Sequence, residues 1–190
     1  MKKNIKAFVK EIVTIIVGIL IALWINNWNE NRKDKKYIHH ITTSINKELS
    51  ETKDDIINNI ATQKSLIDTL DFYKKEDKIS LFDILKKVNG INIPSIKINS
   101  WKAISNSKIE LMEYDKVSTM ANIEEQRELL KMKSQNLMNF IYPNTNETGI
   151  DKKELLKLMI LDIINTELAI QKQIDGITTD SANLKSLSQK

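Results

Sequence analysis

The sequence predicts an all-α protein: an N-terminal transmembrane helix that continues into a long helix, packed with a C-terminal antiparallel helical hairpin and short connecting helices. Three observations predict it. Fourteen consecutive residues, Ile12 to Ile25, carry no charge, and ten of them are Ile, Val or Leu. Beyond that run, apolar residues recur at helical spacing, and no glycine or proline interrupts the chain until Gly90. Two prolines and four glycines in 190 residues leave few points at which a helix must stop.

Each Ile, Val or Leu of the apolar run favours the bilayer by roughly 0.3 to 0.6 kcal/mol. The run is shorter than the ~20 residues a spanning helix needs, and by length alone it also fits a signal-peptide core or a buried helix. Its flanks decide. Ala7, Phe8 and Val9 extend the apolar surface past Lys10 and Glu11, and a lysine near a helix end snorkels to the headgroups. Trp24 and Trp28, one turn apart, form an interfacial aromatic belt. The expected span is residues 6–28, overlapping a short basic tail, 1–10. The stretch after the core, Leu23-Trp24-Ile25-Asn26-Asn27-Trp28, lacks the small residues a cleavage site needs, so an uncleaved signal anchor is expected.

Lys2, Lys3, Lys6 and Lys10 on one side balance Arg32, Lys33, Lys35 and Lys36 on the other, so the positive-inside count is a tie. A short lysine-rich tail is hard to translocate, whereas a long domain crosses largely regardless of charge. The expectation is an amino terminus inside and a domain outside. One face of the span differs from the rest: Ala7, Glu11, Thr14, Gly18, Ala22 and Asn26 recur at intervals of three and four. Thr14, Gly18 and Ala22 form a small-xxx-small pattern that lets two helix backbones approach closely. Glu11, Thr14, Gly18, Ala22 and Asn26 are therefore the candidate membrane helix–helix interface, although small residues are also common in spanning helices that pair with nothing. Glu11 is a candidate because ionisable groups at membrane depth are costly, and the alternative is a place among the headgroups beside Lys10.

The string Glu11-Ile12-Val13, then Gly18-Ile19-Leu20-Ile21-Ala22-Leu23, then Ile25-Asn26-Asn27-Trp28-Asn29-Glu30 resembles the N-terminal signature of an uncharacterised family of small single-pass membrane proteins from Bacteroidota. The likeness covers about residues 11–33 and is weaker around Ser100-Trp101 to Glu110-Leu111. Where that family usually has Gln, this chain has Trp24. The resemblance implies an anchor followed by a helical domain without assigned activity, and it brings no catalytic residues. With the orientation above, it implies a bacterial inner-membrane protein, single-pass, with a periplasmic C-terminal domain.

About 150 residues remain beyond the anchor, enough for one domain with its own core, 29–190. The absence of cysteine excludes disulfides, thiolate metal sites and a Cys nucleophile. A net charge of +4 raises nucleic acid as a partner. The excess sits largely on the membrane-flanking lysines, whose natural counter-charge is anionic lipid, and elsewhere Lys interleaves with Asp and Glu as on a solvated helix face. The partners expected are membrane lipid and either further copies of the chain or another membrane protein, with no nucleic acid.

Ile38, Ile41, Ile45, Leu49, Thr52, Ile56, Ile60, Gln63, Ile67 and Leu70 repeat at spacings of 3, 4 and 4, an eleven-residue period close to that of a straight helix. One helix is expected from about residue 5 to 75, the alternative being a break near Asn29 to Asp34, where polar residues crowd. Short helices and an extended linker follow over 79–110. Ser80 is a cap for a helix Leu81 to Val88 that stops at Asn89-Gly90. Ile91, Ile93, Ile96 and Ile98 alternate, but Pro94 demotes the run to an extended linker lying on the core. Ser100 is expected to cap a short helix bearing Trp101 and Ile104, with Trp101 packing rather than lining a ligand pocket.

A hairpin of helices, 115–142 and 151–177, closes the domain, with Pro143 as the stop, Asp151 as the cap and a polar continuation to Lys190. The loop length makes its arms antiparallel neighbours. Their seams are Met120, Ile123, Arg127, Leu130, Ser134, Leu137, Ile141 and Leu156, Ile160, Ile163, Glu167, Ile170, Ile174, Ile177. Each is interrupted by one charge, of opposite sign, and both charges lie twenty residues from Glu147 at the turn, so Arg127 and Glu167 are expected to form a structural ion pair. Leu155 to Ile164, apolar almost all round, is expected to be the central helix of the bundle.

No site rises above this. His39 and His40, adjacent on a helix, point about 100° apart and do not jointly chelate one metal. Asp54-Asp55 and Glu124-Glu125 lie on charged surfaces without a third group for acid–base chemistry. Phosphate loops and nucleophile elbows are lacking. Expected catalytic, cofactor and metal residues are accordingly none. Two functional classes remain: a non-enzymatic, membrane-anchored protein that works by assembly, as a homo-oligomer or a subunit of a larger envelope complex, and an extracytoplasmic ligand-binding or sensory module that signals through a membrane partner.

Overall fold

The structure, a computed structural model, describes residues 2–187, with side chains described from 8 to 177. The side chains of Lys2, Lys3, Lys6 and Ala7, and the polar stretch after Ile177, lie outside that description. The described residues form five α-helices and no strand: α1 Lys2–Phe72, α2 Leu81–Lys87, α3 Asn99–Ser105, α4 Tyr114–Asn144 and α5 Ile150–Leu187, with one 3-10 turn at Ile109–Leu111. The chain divides into two compact units, Met1–Thr43 and Ser44–Lys190.

The described residues of the first unit, 2–43, are all helical, and α1 passes through 29–36 without a break. Asn and Asp cost a helix well under about 1 kcal/mol each, and here no Gly or Pro adds to that cost. Thr14 and Thr43 return their hydroxyls to the carbonyls of Lys10 and His39, at 2.9 and 2.8 Å, so neither leaves a polar group unsatisfied.

The second unit is built on three long helices. From α1 the buried stripe is Ile45, Leu49, Thr52, Ile56, Ile60, Gln63, Leu66 and Leu70. Leu66 takes the place expected of Ile67, which is half-buried. All seven α5 seam residues are buried, as are Met120, Ile123, Leu130, Leu137 and Ile141 of α4. The α4–α5 pair is an antiparallel hairpin. Polar side chains tie α5 to α1, Lys53 to Asp175 at 2.5 Å, Gln63 to Glu167 at 2.8 Å and Asp71 to Lys157 at 2.6 Å, and just past α1 Lys74 pairs with Glu154 at 2.7 Å. Partner numbers fall as the α1 number rises, so these two helices are antiparallel as well. α5 is thus the helix shared by both neighbours. It is not enclosed, however: Leu155, Leu158 and Leu161 remain 44%, 60% and 37% exposed, because the two neighbours cover only one side of it.

Between α2 and α3 the extended strap, residues 91–98, buries Pro94, Ile96 and Ile98 in alternation. An extended chain must satisfy its N–H groups, and no strand is there to do so. One face of α1 does it instead. Asp55 accepts from the Ser95 N–H at 2.6 Å, Thr52 Oγ1 from Lys97 N–H at 3.0 Å, and Glu48 from Ser100 N–H at 3.1 and 3.2 Å. Ser100 therefore does not cap α3; its N–H and hydroxyl both donate to Glu48, whose carboxylate serves that helix end.

Ser80 does cap α2, in a reciprocal box with Asp83: Asp83 N–H donates to Ser80 Oγ at 3.2 Å and Ser80 N–H to Asp83 Oδ2 at 3.0 Å. The next two donors of α2, the N–H groups of Leu81 and Phe82, reach the carbonyls of Glu147 and Thr145 in the hairpin turn, each at 2.9 Å. Asn89 and Gly90, at φ 60° and 89°, stop the helix in the left-handed region. Two boundaries differ from expectation. Pro143 lies inside the last turn of α4 rather than ending it, since a single lost hydrogen bond there is tolerated so close to the terminus. Asp151 lies in the first turn of α5, where its charge favours the helix dipole, rather than at the cap.

Candidate membrane interface and the polar seam

From Phe8 to Lys33 every side chain of α1 is exposed. This inverts the usual rule for apolar residues. Ile16, Leu20 and Leu23 show 49%, 58% and 53% of their surface, and Trp24 and Trp28 show 69% and 56%. α1 contains a segment long and apolar enough to cross a membrane, near the N-terminus and with none of it covered by the rest of the chain. Thr14, Gly18, Ala22 and Asn26, at four-residue steps of an unbroken helix, stack as neighbours along one side, with Glu11 one turn before them. A Cβ placed on Gly18 meets no atom within 4 Å, so nothing in this chain requires glycine there. Trp24 and Trp28 are one turn apart, and the Arg32 guanidinium lies 5.9 Å from the Trp28 ring centroid.

His39 and His40 meet edge to face, 6.0 Å between centroids, and no cluster of three metal-ligating side chains occurs among the described residues. Trp101 is 3% exposed and its indole N–H donates to Glu124 at 2.7 Å, the arrangement of a packing tryptophan.

The ion pair expected between Arg127 and Glu167 does not form. Half-buried Arg127 donates through Nε to the Ile96 carbonyl at 3.2 Å and pairs with its neighbour Glu128 at 2.5 Å. Glu167, 0% exposed, accepts from Gln63 Nε2 at 2.8 Å, and the same amide nitrogen donates to the Asn92 carbonyl at 3.0 Å. Equal distance from the hairpin turn fixes a residue's height, not the direction it faces; α1 and the strap approach the two seams and supply both groups with other partners. Burial pushes the Glu167 carboxyl up to about 7, against the bond from Gln63 and together with the negative charge of Asp55.

A second buried charge has no counterpart in the sequence reading. Lys153 is 1% exposed, and its ammonium donates to the carbonyls of Tyr73 at 2.9 Å and Glu76 at 2.8 Å, just past the end of α1. α1 has no basic residue in its last turn, and α5 supplies the charge that its carbonyl end favours. The signal was present: Lys153, Leu156, Ile160, Ile163 and Glu167 continue one seam at spacings of three and four.

Among the surface clefts of the second unit, two are described by their lining. One, about 260 Å³, lies between the strap and α4 and is lined by Ile93, Pro94, Ile96, Leu130 and the already engaged Arg127. It is smaller than the roughly 300 to 1,000 Å³ of ordinary ligand pockets. The other, about 360 Å³, is lined by Ser44, Lys47, Glu48, Glu51, Lys97, Asn99 and Ser100. It has no apolar wall, and its Glu51 carboxyl is held below its usual range by Lys97, 2.7 Å away. The chain matches no protein-family model, no curated protein and no solved structure.

Proposed function

We propose that this is a single-pass, membrane-anchored helical protein that works by assembly rather than catalysis, as a homo-oligomer or as a subunit with another membrane protein. The observation that carries the reading is the uncovered apolar surface from Phe8 to Trp28, which no part of the chain buries. Lipid covers most of such a helix, and the face of Thr14, Gly18, Ala22 and Asn26 is where a second backbone would approach closely. Lys10, Arg32, Lys33, Lys35 and Lys36 flank the span and suit anionic headgroups. The likeness of residues 11–33 to a bacterial anchor signature supports an inner-membrane location, and the short lysine-rich tail, hard to translocate, favours a periplasmic C-terminal domain. The alternative of a ligand-binding module finds less support, since Trp101 is packed and of the two clefts described one is small and the other is lined by polar and charged residues.

The test is crosslinking of the full chain in mild detergent, with mass analysis of everything that co-purifies, for wild type and Gly18→Leu. The open space around Gly18 means that the larger side chain leaves the single chain's fold and helix content unchanged. Wild type is expected to yield a crosslinked oligomer or a stoichiometric membrane partner that Gly18→Leu loses. Wild-type protein that stays monomeric after crosslinking and brings no partner would sink the reading.

A further inference from the structure

Gln63 and Glu167 meet in the interior between α1 and α5, at 2% and 0% exposure. The primary amide of Gln63 has two N–H donors, and both are used, one on the Asn92 carbonyl and one on Glu167 Oε1. Its orientation is therefore fixed, because the flipped amide would set oxygen against the Asn92 carbonyl. Two acceptors are left over: Gln63 Oε1 and Glu167 Oε2 are both buried, and neither meets a donor among the described residues. Such groups are ordinarily hydrogen-bonded, and here the two belong to one bonded pair.

As a carboxylate Glu167 leaves both of these acceptors without a donor, whereas as a carboxylic acid it supplies the missing one. We propose that Glu167 is protonated in the folded protein and that its Oε2–H donates to Gln63 Oε1, so that acid and amide form a two-bond clasp between α5 and α1 whose opening is controlled by pH. When the proton leaves to solvent, the carboxylate keeps the bond from Gln63 Nε2 but loses the one it gave, and Gln63 Oε1 is again unsatisfied. Because Gln63 also holds the Asn92 carbonyl, the strap loosens with the joint.

The charges around the pair do not compensate an ionised Glu167. On α1, Asp55 adds negative charge and Lys53 is held by Asp175. On the strap, Lys97 is held by Glu51. On α4, Arg127 is engaged by Ile96 and Glu128, and Lys133 by Asp162 and Thr166. Burial, with no cation opposite, is what pushes the carboxyl from 4.5 to about 7. The sign follows. Below 4.5 both folded and unfolded chains hold the proton; between 4.5 and 7 only the folded chain does, so stability falls as pH rises through that window and is level above it. An interval of that width corresponds to about 300-fold in the folding equilibrium constant.

The experiment compares the full chain in mild detergent with Glu167→Gln, an isostere that presents an N–H at Oε2 at every pH. Thermal unfolding from pH 4.5 to 8.5 should show wild type losing about 300-fold relative to E167Q, with E167Q the more stable above pH 7. Infrared spectra of wild type should show a protonated-carboxyl band at pH 5.5 that disappears by pH 8.5, and E167Q should lack it. Parallel pH profiles for the two proteins would overturn the proposal. If E167Q does not fold, the wild-type infrared spectrum decides alone: a band in the folded protein that titrates near neutrality supports the clasp, and an ionised carboxylate at pH 5.5 overturns it.

Discussion

Replacing Lys153 by methionine removes a buried ammonium while keeping the volume of its stem. The ammonium makes two bonds, to Tyr73 O at 2.9 Å and Glu76 O at 2.8 Å. Hydrogen bonds to charged groups are worth about 1.5 kcal/mol at the low end, so about 3 kcal/mol is lost in total. Both carbonyls keep a backbone donor, from Glu76 and Ile79 at 3.2 Å, so neither is fully orphaned. Relief of the cost of burying an ammonium offsets part of the loss. The expected net destabilisation for Lys153→Met is about 1 to 2 kcal/mol. Lys153→Ala also removes three buried methylenes at about 0.8 kcal/mol each, which brings its cost to about 4 kcal/mol. Thermal melts followed by circular dichroism read both variants, with about 2 to 4 °C expected per kcal/mol for a chain of this size. A methionine variant as stable as wild type would refute the reasoning, because the ammonium would then be tolerated rather than holding the end of α1.

Arg127→Met should cost only about 1 kcal/mol, well under the roughly 3 to 5 kcal/mol of a broken buried pair, and combined with Glu167→Gln its effect should be additive to about 0.5 kcal/mol in a double-mutant cycle. Leu49→Ala, at 0% exposure, should lose about 2 to 5 kcal/mol in denaturant unfolding. Leu158→Ala, on the 60% exposed side of α5, should stay within about 0.5 kcal/mol of wild type. Gly90→Ala should cost about 1 to 2 kcal/mol, since a Cβ meets no neighbour there and only the φ of 89° opposes it.

Much of the bundle was legible because it obeys one period. The α5 seam from Leu156 to Ile177 and the α1 stripe from Ile45 to Leu70 bury the residues that spacing selects, and the Pro94-broken alternation of Ile96 and Ile98 marks a strap rather than a strand. What spacing does not carry is which way a polar side chain on a seam turns once a third element arrives. Arg127 and Glu167 are on the expected faces, yet the strap takes the one and α1 the other. Ser100 looks like a cap in sequence, but the group that completes α3 is Glu48, on another helix. Lys153 had a legible place on the α5 seam but not legible partners, which are main-chain carbonyls without a signature in the sequence. Thr14, Gly18, Ala22 and Asn26 are a pattern that the sequence shows, and the structure adds that their side chains are exposed in the single chain.

The ammonium that completes the end of α1 has a consequence in time. Tyr73 and Lys153 are 80 positions apart, and at about 5 to 20 residues per second a ribosome needs roughly 4 to 16 s to make the second after the first. Until α5 follows, the stripe of Leu49, Ile56 and Leu66 on α1 lacks one of the helices that bury it. Thr52 and Gln63 interrupt that stripe. In the finished protein they hold the strap and Glu167, and on a helix that still awaits α5 the same two polar side chains divide the apolar stripe into shorter runs.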